Sequence, residues 1–577
     1  MGNWEKIYQK WNTFANLDDS LKTELHTKKD DKNALEDAFY KELTFGTGGM
    51  RGVLGAGINR MNIYTVRKAV NGLANYLLTN RVNVKDRGVV IAYDSRYMSP
   101  EFAVESAKVL GHYGIKTHVF ETLRPTPLLS FAVRYLGTAA GIMITASHNP
   151  PDYNGFKVYN ENGGQITPEE ASRIIDAIGQ TEDELAVPYV EKAELEEKEL
   201  LNWLGHEIDN AYLERLVQIS RMTAEVQKQE KDLGIVFTPL HGTAYNLVTK
   251  GLKQLNFTNV AIVEEQASPD PEFSTVESPN PEEHQAFKLA IELGQKKDAD
   301  ILLGTDPDAD RLGVAVKNKA GEYQVLTGNQ LGSLMLDYIL THSNPTVYQN
   351  SRMIKTVVTT ELGRAIADAN QVETIDTLTG FKFIGEKIDQ FDSTGETFIF
   401  GFEESYGYLI SSFVRDKDAV QAAVMATEMA YYWKRQGKTL LDALDVLYEK
   451  HGYYLEGMSS LTLKGKEGSE QIAEIMDDIR SKPFHDIASI KVEKIENYLT
   501  SERILVKEDK KEKIDLPQEN MMKFILEEDG WVCLRPSGTE PKIKCYYGVR
   551  GKSDEHSKQL LAALKDTMDQ KIAAIIN

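Results

Sequence analysis

The sequence predicts an α/β protein: three successive domains with mixed, largely parallel sheets, followed by a C-terminal α+β domain. Short, apolar, β-branched runs end in polar, glycine-containing loops, as at Val89–Tyr93 and Ile301–Leu303. Longer amphipathic segments, such as Pro100–Tyr113 and Asp418–Gln436, lie between such runs. Strands that alternate with helices indicate βαβ units, whose ligands bind beyond the carboxyl ends of the strands. The chemistry is therefore expected in the loops that follow strands.

Changes in composition along the chain suggest the domain boundaries. The segment from about Trp4 to Glu42 is polar with weak helical periodicity and predicts a peripheral helical extension. The glutamate-dense stretch Thr181–Leu204 is interpreted as a solvated helix or linker that closes the first domain. A turn at Lys317–Glu322 ends the second domain, and the segment His451–Glu456 begins the last. Strands are expected in the last domain at Ile490–Ile495, Met522–Leu526 and Lys542–Val549. The predicted domains are 1–205, 206–322, 323–455 and 456–577.

Composition excludes several classes of protein. Hydrophobic residues make up 41% of the 577 residues and charged residues 27%, which is typical of a globular chain. The formal net charge of −21 argues against nucleic acid or an anionic membrane as a partner. The only cysteines, Cys533 and Cys545, cannot build a disulfide or zinc framework, and the polar N-terminus lacks a secretory apolar segment. We therefore expect a cytoplasmic protein.

Three carboxylates at alternate positions, Asp306, Asp308 and Asp310, follow a predicted strand, with Arg311 next to them. Each close pair of carboxylates costs roughly 4 kcal/mol at an effective dielectric constant of about 20, and a divalent cation removes that penalty. Oxygen ligands favour Mg²⁺, Mn²⁺ or Ca²⁺ over zinc. An EF-hand is excluded because Arg311 stands at the sixth loop position and Lys317 at the twelfth. A solvated acidic turn is the remaining alternative.

The segment Thr145–Pro151 presents the hydroxyl of Ser147 on a tight polar loop after another strand. A serine hydrolase is disfavoured because the glycines of G-x-S-x-G are missing. In addition, adjacent Ser and His side chains do not normally form a nucleophile–base hydrogen bond. A serine that carries a phosphoryl group needs a metal and cations instead, and Lys157 is close in sequence. From spacing alone, a structural role for His148 is favoured over a catalytic one.

Three further loops suit anions or sugars. The loop Arg535–Thr539 combines arginine, hydroxyls and glycine N–H groups, which favour phosphate, although an ordinary hairpin turn is the alternative. Glu403 and Ser405 follow a strand and suit sugar hydroxyls, with a helix N-cap as the alternative. The glycine-rich loop Phe45–Gly52 carries Arg51 at the sixth position of a would-be G-x-G-x-x-G motif, so it is interpreted as an anion-binding loop.

Taken together, these loops resemble the α-D-phosphohexomutase family, in the family's order from Gly46 to Arg535. The family's phosphoserine, metal, sugar-specificity and phosphate-binding loops match Thr145–Pro150, Asp306–Arg311, Gly401–Gly407 and Arg535–Thr539. The resemblance implies four domains around a central cleft.

The resemblance also implies the chemistry. Ser147 would rest as phosphoserine and pass its phosphoryl group to a hexose monophosphate. The resulting glucose 1,6-bisphosphate, which is both intermediate and activator, would return its other phosphoryl group. One Mg²⁺ per chain would be held by Ser147, Asp306, Asp308 and Asp310. The implied catalytic residues are Ser147, His148, Lys157, Arg51 and Arg311, and the candidates for proton transfer are His148, Lys157 and Lys382. The implied substrate-binding residues are Thr379, Gly380, Lys382, Glu403, Ser405, Arg535, Ser537, Gly538 and Thr539.

The expected substrate is a glucose phosphate, because Glu403–Gly407 looks like the glucose version of the family's sugar loop. Interconversion of α-D-glucose 1-phosphate and glucose 6-phosphate is therefore expected. Phe402 departs from the glycine that many relatives have, and the long form of the chain resembles a subgroup that includes pentose-phosphate activity. Mannose or pentose phosphates, bisphosphate synthesis and simple phosphosugar binding remain alternatives. We expect small sugar phosphates as partners, no nucleic acid or membrane partner, and a monomer or homodimer.

Overall fold

The computed structural model describes residues 2–46, 48–343, 350–463, 465–537 and 542–576. They form an α/β protein with mixed sheets and a separate C-terminal sheet, as predicted. The chain divides into two compact units. The first comprises Met1–Thr327, Phe381–Gly401 and Ser405–Thr439, and the second comprises Gly328–Gly380, Phe402–Glu404 and Leu440–Asn577. The four domain ranges predicted from the sequence stay a prediction.

A helical extension begins the chain, as its composition indicated. Its helices are α1 (Asn3–Thr13), α2 (Asp19–Thr27) and α3 (Lys32–Phe39). Their apolar faces surround the buried Trp11, which stacks edge-on against Phe39 and Tyr64. The indole N–H of Trp11 donates to Glu184 at 2.7 Å, so a polar contact also ties the extension to the domain that follows.

The first sheet has seven strands in the order β1-β2-β6-β5-β3-β4-β7. Strands β5, β3, β4 and β7 run parallel, whereas β6, β2 and β1 join by antiparallel pairs. The strands are β1 (Phe45–Gly46), β2 (Gly49–Val53), β3 (Val89–Tyr93), β4 (Thr117–Phe120), β5 (Ala140–Ile144), β6 (Tyr153–Tyr159) and β7 (Leu201–Leu204). The helices are α4 (Ile63–Asn80), α5 (Val84–Arg87), α6 (Ser99–His112), α7 (Thr126–Leu136), α8 (Pro168–Gly179) and α9 (Lys192–Glu197).

The glutamate-dense stretch Thr181–Leu204 is not only a solvated helix or linker. It contains α9, but its last four residues form β7, which pairs in parallel with β4 at the edge of the sheet. Leu201 and Leu204 are buried there, and the two residues between them are half-buried. The four residues of β7 are too few to show strand periodicity in the sequence, because charged residues precede them. Pairing with β4 stabilises them as a strand.

The second sheet has the order β12-β11-β10-β8-β9 and carries the carboxylate loop between β10 and β11. Strands β9, β8 and β10 are parallel, and β11 and β12 form an antiparallel hairpin that spans residue 322. The strands are β8 (Ile235–Thr238), β9 (Val260–Ile262), β10 (Ile301–Thr305), β11 (Leu312–Lys317) and β12 (Tyr323–Val325). The helices are α10 (Glu207–Leu216), α11 (Ala224–Gln227), α12 (Tyr245–Gln254), α13 (Glu264–Ala267) and α14 (Lys288–Lys297).

The next region alternates helices and strands, and β13 and β14 form a parallel pair within it. Its elements are α15 (Gly328–His342), β13 (Ser351–Thr356), α16 (Glu361–Ala369), β14 (Glu373–Thr377), α17 (Phe381–Thr394), β15 (Thr397–Glu403), β16 (Gly407–Leu409), α18 (Ala419–Lys434) and α19 (Leu440–His451).

The last sheet is antiparallel, in the order β17-β24-β23-β22-β19-β20-β21, with β18 paired to β19. One of its faces packs on α20 and α21. Its strands are β17 (Tyr453–Thr462), β18 (Asp486–Ile487), β19 (Ile490–Asn497), β20 (Glu502–Leu505), β21 (Lys510–Lys513), β22 (Met522–Leu526), β23 (Trp531–Pro536) and β24 (Lys542–Gly551), and its helices are α20 (Gly465–Ser481) and α21 (Asp554–Ile576). The expected α+β architecture is confirmed. Cys533 in β23 and Cys545 in β24 are buried, unpaired thiols.

Candidate active site

Ser147 lies in the loop that follows β5, held in a left-handed backbone conformation with φ of 51°. That conformation costs a residue with a side chain of order 1–3 kcal/mol, so the surrounding structure must hold it. The Ser147 N–H donates to Thr145 Oγ1 at 2.9 Å, which stabilises the turn. The turned backbone directs Ser147 Oγ to Asp306 Oδ2, to which it donates at 2.7 Å.

The expectation that adjacent Ser and His side chains would not hydrogen-bond is wrong here. Ser147 Oγ lies 3.2 Å from His148 Nδ1. In extended or helical backbone the two side chains would diverge, but the positive φ of Ser147 brings them to one side of the loop. Burial, and then the guanidinium groups of Arg311 and Arg51, lower the pKa of His148 to about 3. The imidazole is therefore neutral at physiological pH.

The three carboxylates of the β10–β11 loop converge, as their spacing predicted. Ala309, with φ of 53°, turns the loop back on itself. Asp306 Oδ1 accepts the backbone N–H groups of Asp310 and Arg311 at 3.0 Å each, which fixes the curl. At most 2% of any of the three aspartates is exposed, so the alternative of a solvated acidic turn is wrong.

Lysines provide the nearest positive charges. Lys157 Nζ donates to Asp308 Oδ2 at 2.8 Å, and Thr126 Oγ1 donates to the same oxygen at 2.9 Å. Lys417 Nζ lies 3.0 Å from Asp310 Oδ2. Burial alone would raise the pKa of Asp308, but Lys157 and these hydrogen bonds hold it below its ordinary value. Burial and the two neighbouring carboxylates raise the pKa of Asp306 well above its ordinary value.

The carboxylate cluster fits a divalent cation. Asp308 Oδ1 and Asp310 Oδ1 are buried, and neither has a hydrogen-bond partner among the residues described. One oxygen from each of the three aspartates can be chosen so that all lie within 4.8 Å of one another. The lysines contact the other oxygens of Asp308 and Asp310, so the unsatisfied oxygens remain for a metal. An all-oxygen set of this kind suits Mg²⁺.

Both predicted arginines belong to the same unit as Ser147. Arg51, on β2, donates from Nη1 to Asn149 Oδ1 at 2.7 Å, which ties its strand to the Ser147 loop. Arg311 pairs with the carboxylate of Glu282 and forms an isolated β-bridge with Gly407. Two residues of the expected substrate set lie in this unit as well. Ser405 is half-buried after β15, and Lys382 stands in the first turn of α17.

The second unit holds the other expected substrate residues. Glu403 is buried at the end of β15, and its neighbour Glu404 accepts hydrogen bonds from Thr356 Oγ1 and Thr359 Oγ1, both at 3.2 Å. Arg535 pairs with Glu519, and the Ser537 N–H donates to the Lys542 carbonyl at 2.7 Å. Thr379 and Gly380 are half-buried and directly precede α17. Gly538 and Thr539 lie outside the described residues.

Three residues at the site were missed by sequence reasoning. Lys417 neutralises Asp310, Thr126 hydrogen-bonds Asp308, and Arg96 is buried under the Ser147 loop. None has a motif of its own, and Lys417 and Thr126 lie more than a hundred residues from their partners. Arg96 alone had a signal, since it ends the loop Asp94-Ser95-Arg96 after β3.

Family models of phosphoglucomutase/phosphomannomutase match the chain in four consecutive blocks. The α/β/α domains I, II and III match residues 42–185, 210–321 and 327–451, and the C-terminal domain matches residues 488–567. The chain belongs to the phosphoglucomutase/phosphomannomutase family. The resemblance seen in the loops is thereby confirmed as membership of this family over most of the chain.

Curated relatives support the same family. A phosphoglucomutase of one Staphylococcus aureus strain is 43% identical over 517 residues, covering 89% of this chain and 91% of the relative. One from another S. aureus strain is 41% identical over 549 residues, covering 95% and 96%.

Solved structures of the phosphoglucomutase/phosphomannomutase family share the fold. A family protein from Burkholderia thailandensis aligns with a TM-score of 0.66 at 19% identity, covering 92% of this chain and 97% of that one. The open form of parafusin, a Paramecium phosphoglucomutase, aligns with a TM-score of 0.66 at 15% identity, covering 93% and 96%. Among the described residues, no helix has the length and apolar character needed to cross a bilayer.

Proposed function

We propose that this chain is a Mg²⁺-dependent phosphohexomutase that interconverts α-D-glucose 1-phosphate and glucose 6-phosphate. The observation that carries the proposal is the 2.7 Å contact between Ser147 Oγ and Asp306, within a buried three-carboxylate cluster that fits a divalent cation. A hydroxyl at the edge of a metal site is suited to phosphoryl transfer, where catalysis consists of positioning and charge stabilisation. The S. aureus relatives named phosphoglucomutase support the glucose assignment.

In this proposal Ser147 carries the phosphoryl group between turnovers. Asp306, Asp308, Asp310 and the phosphorylated Ser147 would hold one Mg²⁺, which when bound neutralises charge on the transferring phosphoryl group. Lys157 contacts Asp308 in the β10–β11 loop. Arg311 follows the three aspartates in that loop and pairs with Glu282.

Substrate recognition is assigned to the ends of β15 and β23 and to the loops that follow them. Glu403 would accept hydrogen bonds from the sugar hydroxyls, and Ser405 would donate a hydrogen bond to one of them. Arg535 with Ser537 would bind the phosphate that does not react. Glucose 1,6-bisphosphate is the intermediate, and added in trace amounts it would activate the enzyme by phosphorylating Ser147. Because either phosphate must occupy the Arg535 loop in turn, the bisphosphate has to reorient before it returns a phosphoryl group.

The test is a coupled mutase assay with Mg²⁺ and trace glucose 1,6-bisphosphate. It compares glucose 1-phosphate, mannose 1-phosphate and ribose 1-phosphate at equal concentrations. A clear preference for glucose 1-phosphate is expected. A preference for the mannose or ribose substrate would leave the proposed phosphoryl-transfer mechanism intact but would show that the glucose assignment is wrong. If none of them is turned over although Ser147 is phosphorylated, the mutase assignment is wrong and the protein instead synthesises a sugar bisphosphate or only binds phosphosugars.

A further inference from the structure

Arg96 occupies a position that the chemistry described so far does not use. It follows β3 and is 1% exposed, beneath the loop that carries Ser147. Its guanidinium donates to the Pro150 carbonyl at 2.7 Å, the Tyr153 carbonyl at 3.0 Å and the Ser147 carbonyl at 2.6 Å, and also to the Asn149 carbonyl. One planar group thus joins four carbonyls of residues 147–153.

These carbonyls need a group of this shape. Four carbonyl oxygens that point at one buried spot repel one another, and each costs about 1–3 kcal/mol if left without a partner. Arginine presents five N–H donors in a fixed plane, whereas lysine has three donors on one compact ammonium. A lysine at this position would therefore leave part of the loop unsatisfied.

Arg96 is itself held on both sides. Its Nε lies 3.5 Å from Asp94 Oδ2, while Asp94 Oδ1 accepts the Arg96 backbone N–H at 3.0 Å and the Ser99 hydroxyl at 2.8 Å. The guanidinium carbon also lies 4.9 Å from the centre of the Phe273 ring, a cation–π distance. The plane of the guanidinium is therefore fixed by contacts outside the Ser147 loop.

Phe273 connects this group to the second domain's loops. It lies in the loop between α13 and α14, which His241 secures through Nδ1 at 3.1 Å from the Ser268 carbonyl and Nε2 at 2.8 Å from Thr275 Oγ1. Two residues after His241, Thr243 donates from its N–H and from Oγ1 to the Pro307 carbonyl, in the metal loop. A continuous chain of contacts therefore joins the guanidinium to the carboxylate loop.

We propose that Arg96 is the positioning residue of the Ser147 loop: by gathering four carbonyls it maintains the left-handed turn at Ser147 and directs Ser147 Oγ at Asp306. The inference rests on the proposed function, because it assigns Arg96 a purpose in phosphoryl transfer to Ser147. Arg96 hydrogen-bonds neither the Ser147 hydroxyl nor Asp306, Asp308 or Asp310, so it acts through the backbone of the Ser147 loop that it holds. Misplacement of a nucleophile by about 1 Å costs about 100-fold in rate.

The experiment measures single-turnover transfer of labelled phosphoryl from glucose 1,6-bisphosphate to the dephosphorylated, full-length enzyme with Mg²⁺. Label on Ser147 of the wild type is required first. Arg96→Lys is expected to slow the transfer at saturating bisphosphate by about 100-fold, with the half-saturating bisphosphate concentration changed less than about 3-fold. Guanidinium ion added to Arg96→Ala is expected to restore part of the lost rate. Arg67→Lys, a buried arginine paired with Glu105 away from this loop, is the matched control and should transfer at the wild-type rate.

Each outcome is decisive. Transfer by Arg96→Lys within about 3-fold of the wild type, or an equal loss in Arg67→Lys, would overturn the positioning role while leaving the proposed function intact. Absence of label from wild-type Ser147 would overturn the proposed function and this inference with it. If Arg96→Lys does not fold, Phe273→Leu decides, since it keeps the arginine but removes the ring. A transfer rate reduced by about 10-fold with an unchanged half-saturating bisphosphate concentration supports the inference, and an unchanged rate overturns it.

Discussion

At Ser147 a single backbone angle determines what the side chain can reach. The serine and the three aspartates could be predicted as candidate site residues because they follow apolar strands and carry chemistry that a plain turn does not need. The hydrogen-bonding distance between Ser147 and His148 could not be predicted, since it depends on a φ of 51° that other parts of the fold maintain. For the same reason Arg96 and Lys417 were missed: their partners are set by tertiary packing.

The first prediction concerns Ser147 itself. Ser147→Ala is expected to lower kcat by about 10⁴-fold or more, because the nucleophile is removed. The thermal midpoint should change little, since the loop keeps its Arg96 contacts. The measurements are the coupled assay and calorimetric binding of glucose 6-phosphate, which should stay within a few-fold of the wild type. Turnover at the wild-type rate would sink the phosphoserine assignment.

The second prediction concerns Arg535. Arg535→Ala is expected to raise KM for glucose 1-phosphate by about 10- to 100-fold, because one charge-assisted hydrogen bond to phosphate contributes about 1.5–3 kcal/mol. Glu519→Gln is the control. It removes the carboxylate that pairs with Arg535 but keeps the guanidinium, so its KM should rise much less. Equal KM values for Arg535→Ala and wild type would mean that the loop is only a turn.

At the scale of elements, strands within sheets were predictable where apolar residues run together, as in β3, β5 and β10. Strand β7 was not, because Leu201–Leu204 is short and its identity depends on pairing with β4. Packing between elements could not be predicted from the sequence either. Phe402, an unexpected residue for its loop, fits because two helices offer glycines to its ring, Gly332 from α15 and Gly363 from α16.

The third prediction tests that packing. A Cβ at Gly332 would lie 2.2 Å from Phe402 Cδ2, so Gly332→Ala is expected to destabilise the protein by about 1–3 kcal/mol despite alanine's better helix propensity. Gly179→Ala, at a helical glycine with open space around it, should be neutral or slightly stabilising. Urea unfolding of both variants, of Phe402→Leu and of Gly332→Ala combined with Phe402→Leu measures the coupling. A cost in the double variant equal to the sum of the single costs would contradict the steric explanation.

The fourth prediction concerns Glu456 on β17. Burial raises its pKa to about 7, even though Thr360 and Asn329 donate hydrogen bonds to it. The folded state therefore binds a proton that the unfolded state has released, and this stabilisation is present below the ordinary glutamate pKa and is lost as pH rises through about 7.

Urea unfolding at about pH 5 and about pH 8 measures the effect. The free energy of unfolding of the wild type, relative to Glu456→Gln, should fall by about 2–3 kcal/mol between the two conditions. Glu456→Gln cannot titrate at this position, so it is the control for the wild type. The same pH dependence in both proteins would place the proton elsewhere.

At the scale of the whole molecule, the α/β class and the C-terminal α+β domain followed from the order of the strands and helices. The domain ranges stay predictions, because composition marks linkers only where they are solvated. The net charge of −21 is also a property of the whole chain. It coexists with local lysines and arginines around Ser147, so an acidic protein can still attract a phosphate.

The fifth prediction is that Mg²⁺ stabilises the folded protein. A ligand that binds only the folded state adds about 2.7 kcal/mol at 100 times its Kd, and the unsatisfied oxygens of Asp308 and Asp310 supply the binding site. Thermal unfolding with Mg²⁺ or with a chelator measures the gain. Asp308→Asn should lose most of it together with activity, and a variant stabilised as fully as the wild type would remove the carboxylates from the metal site.

The two buried thiols make one domain individually observable. Burial raises the pKa of Cys545 to about 12 and that of Cys533 further still, so neither reacts while its strand stays in place. Because the sequence has no other cysteine, a thiol reagent added to the native protein can label only the C-terminal sheet. Its labelling rate would report how often that sheet opens, during turnover or at rest, without an introduced probe.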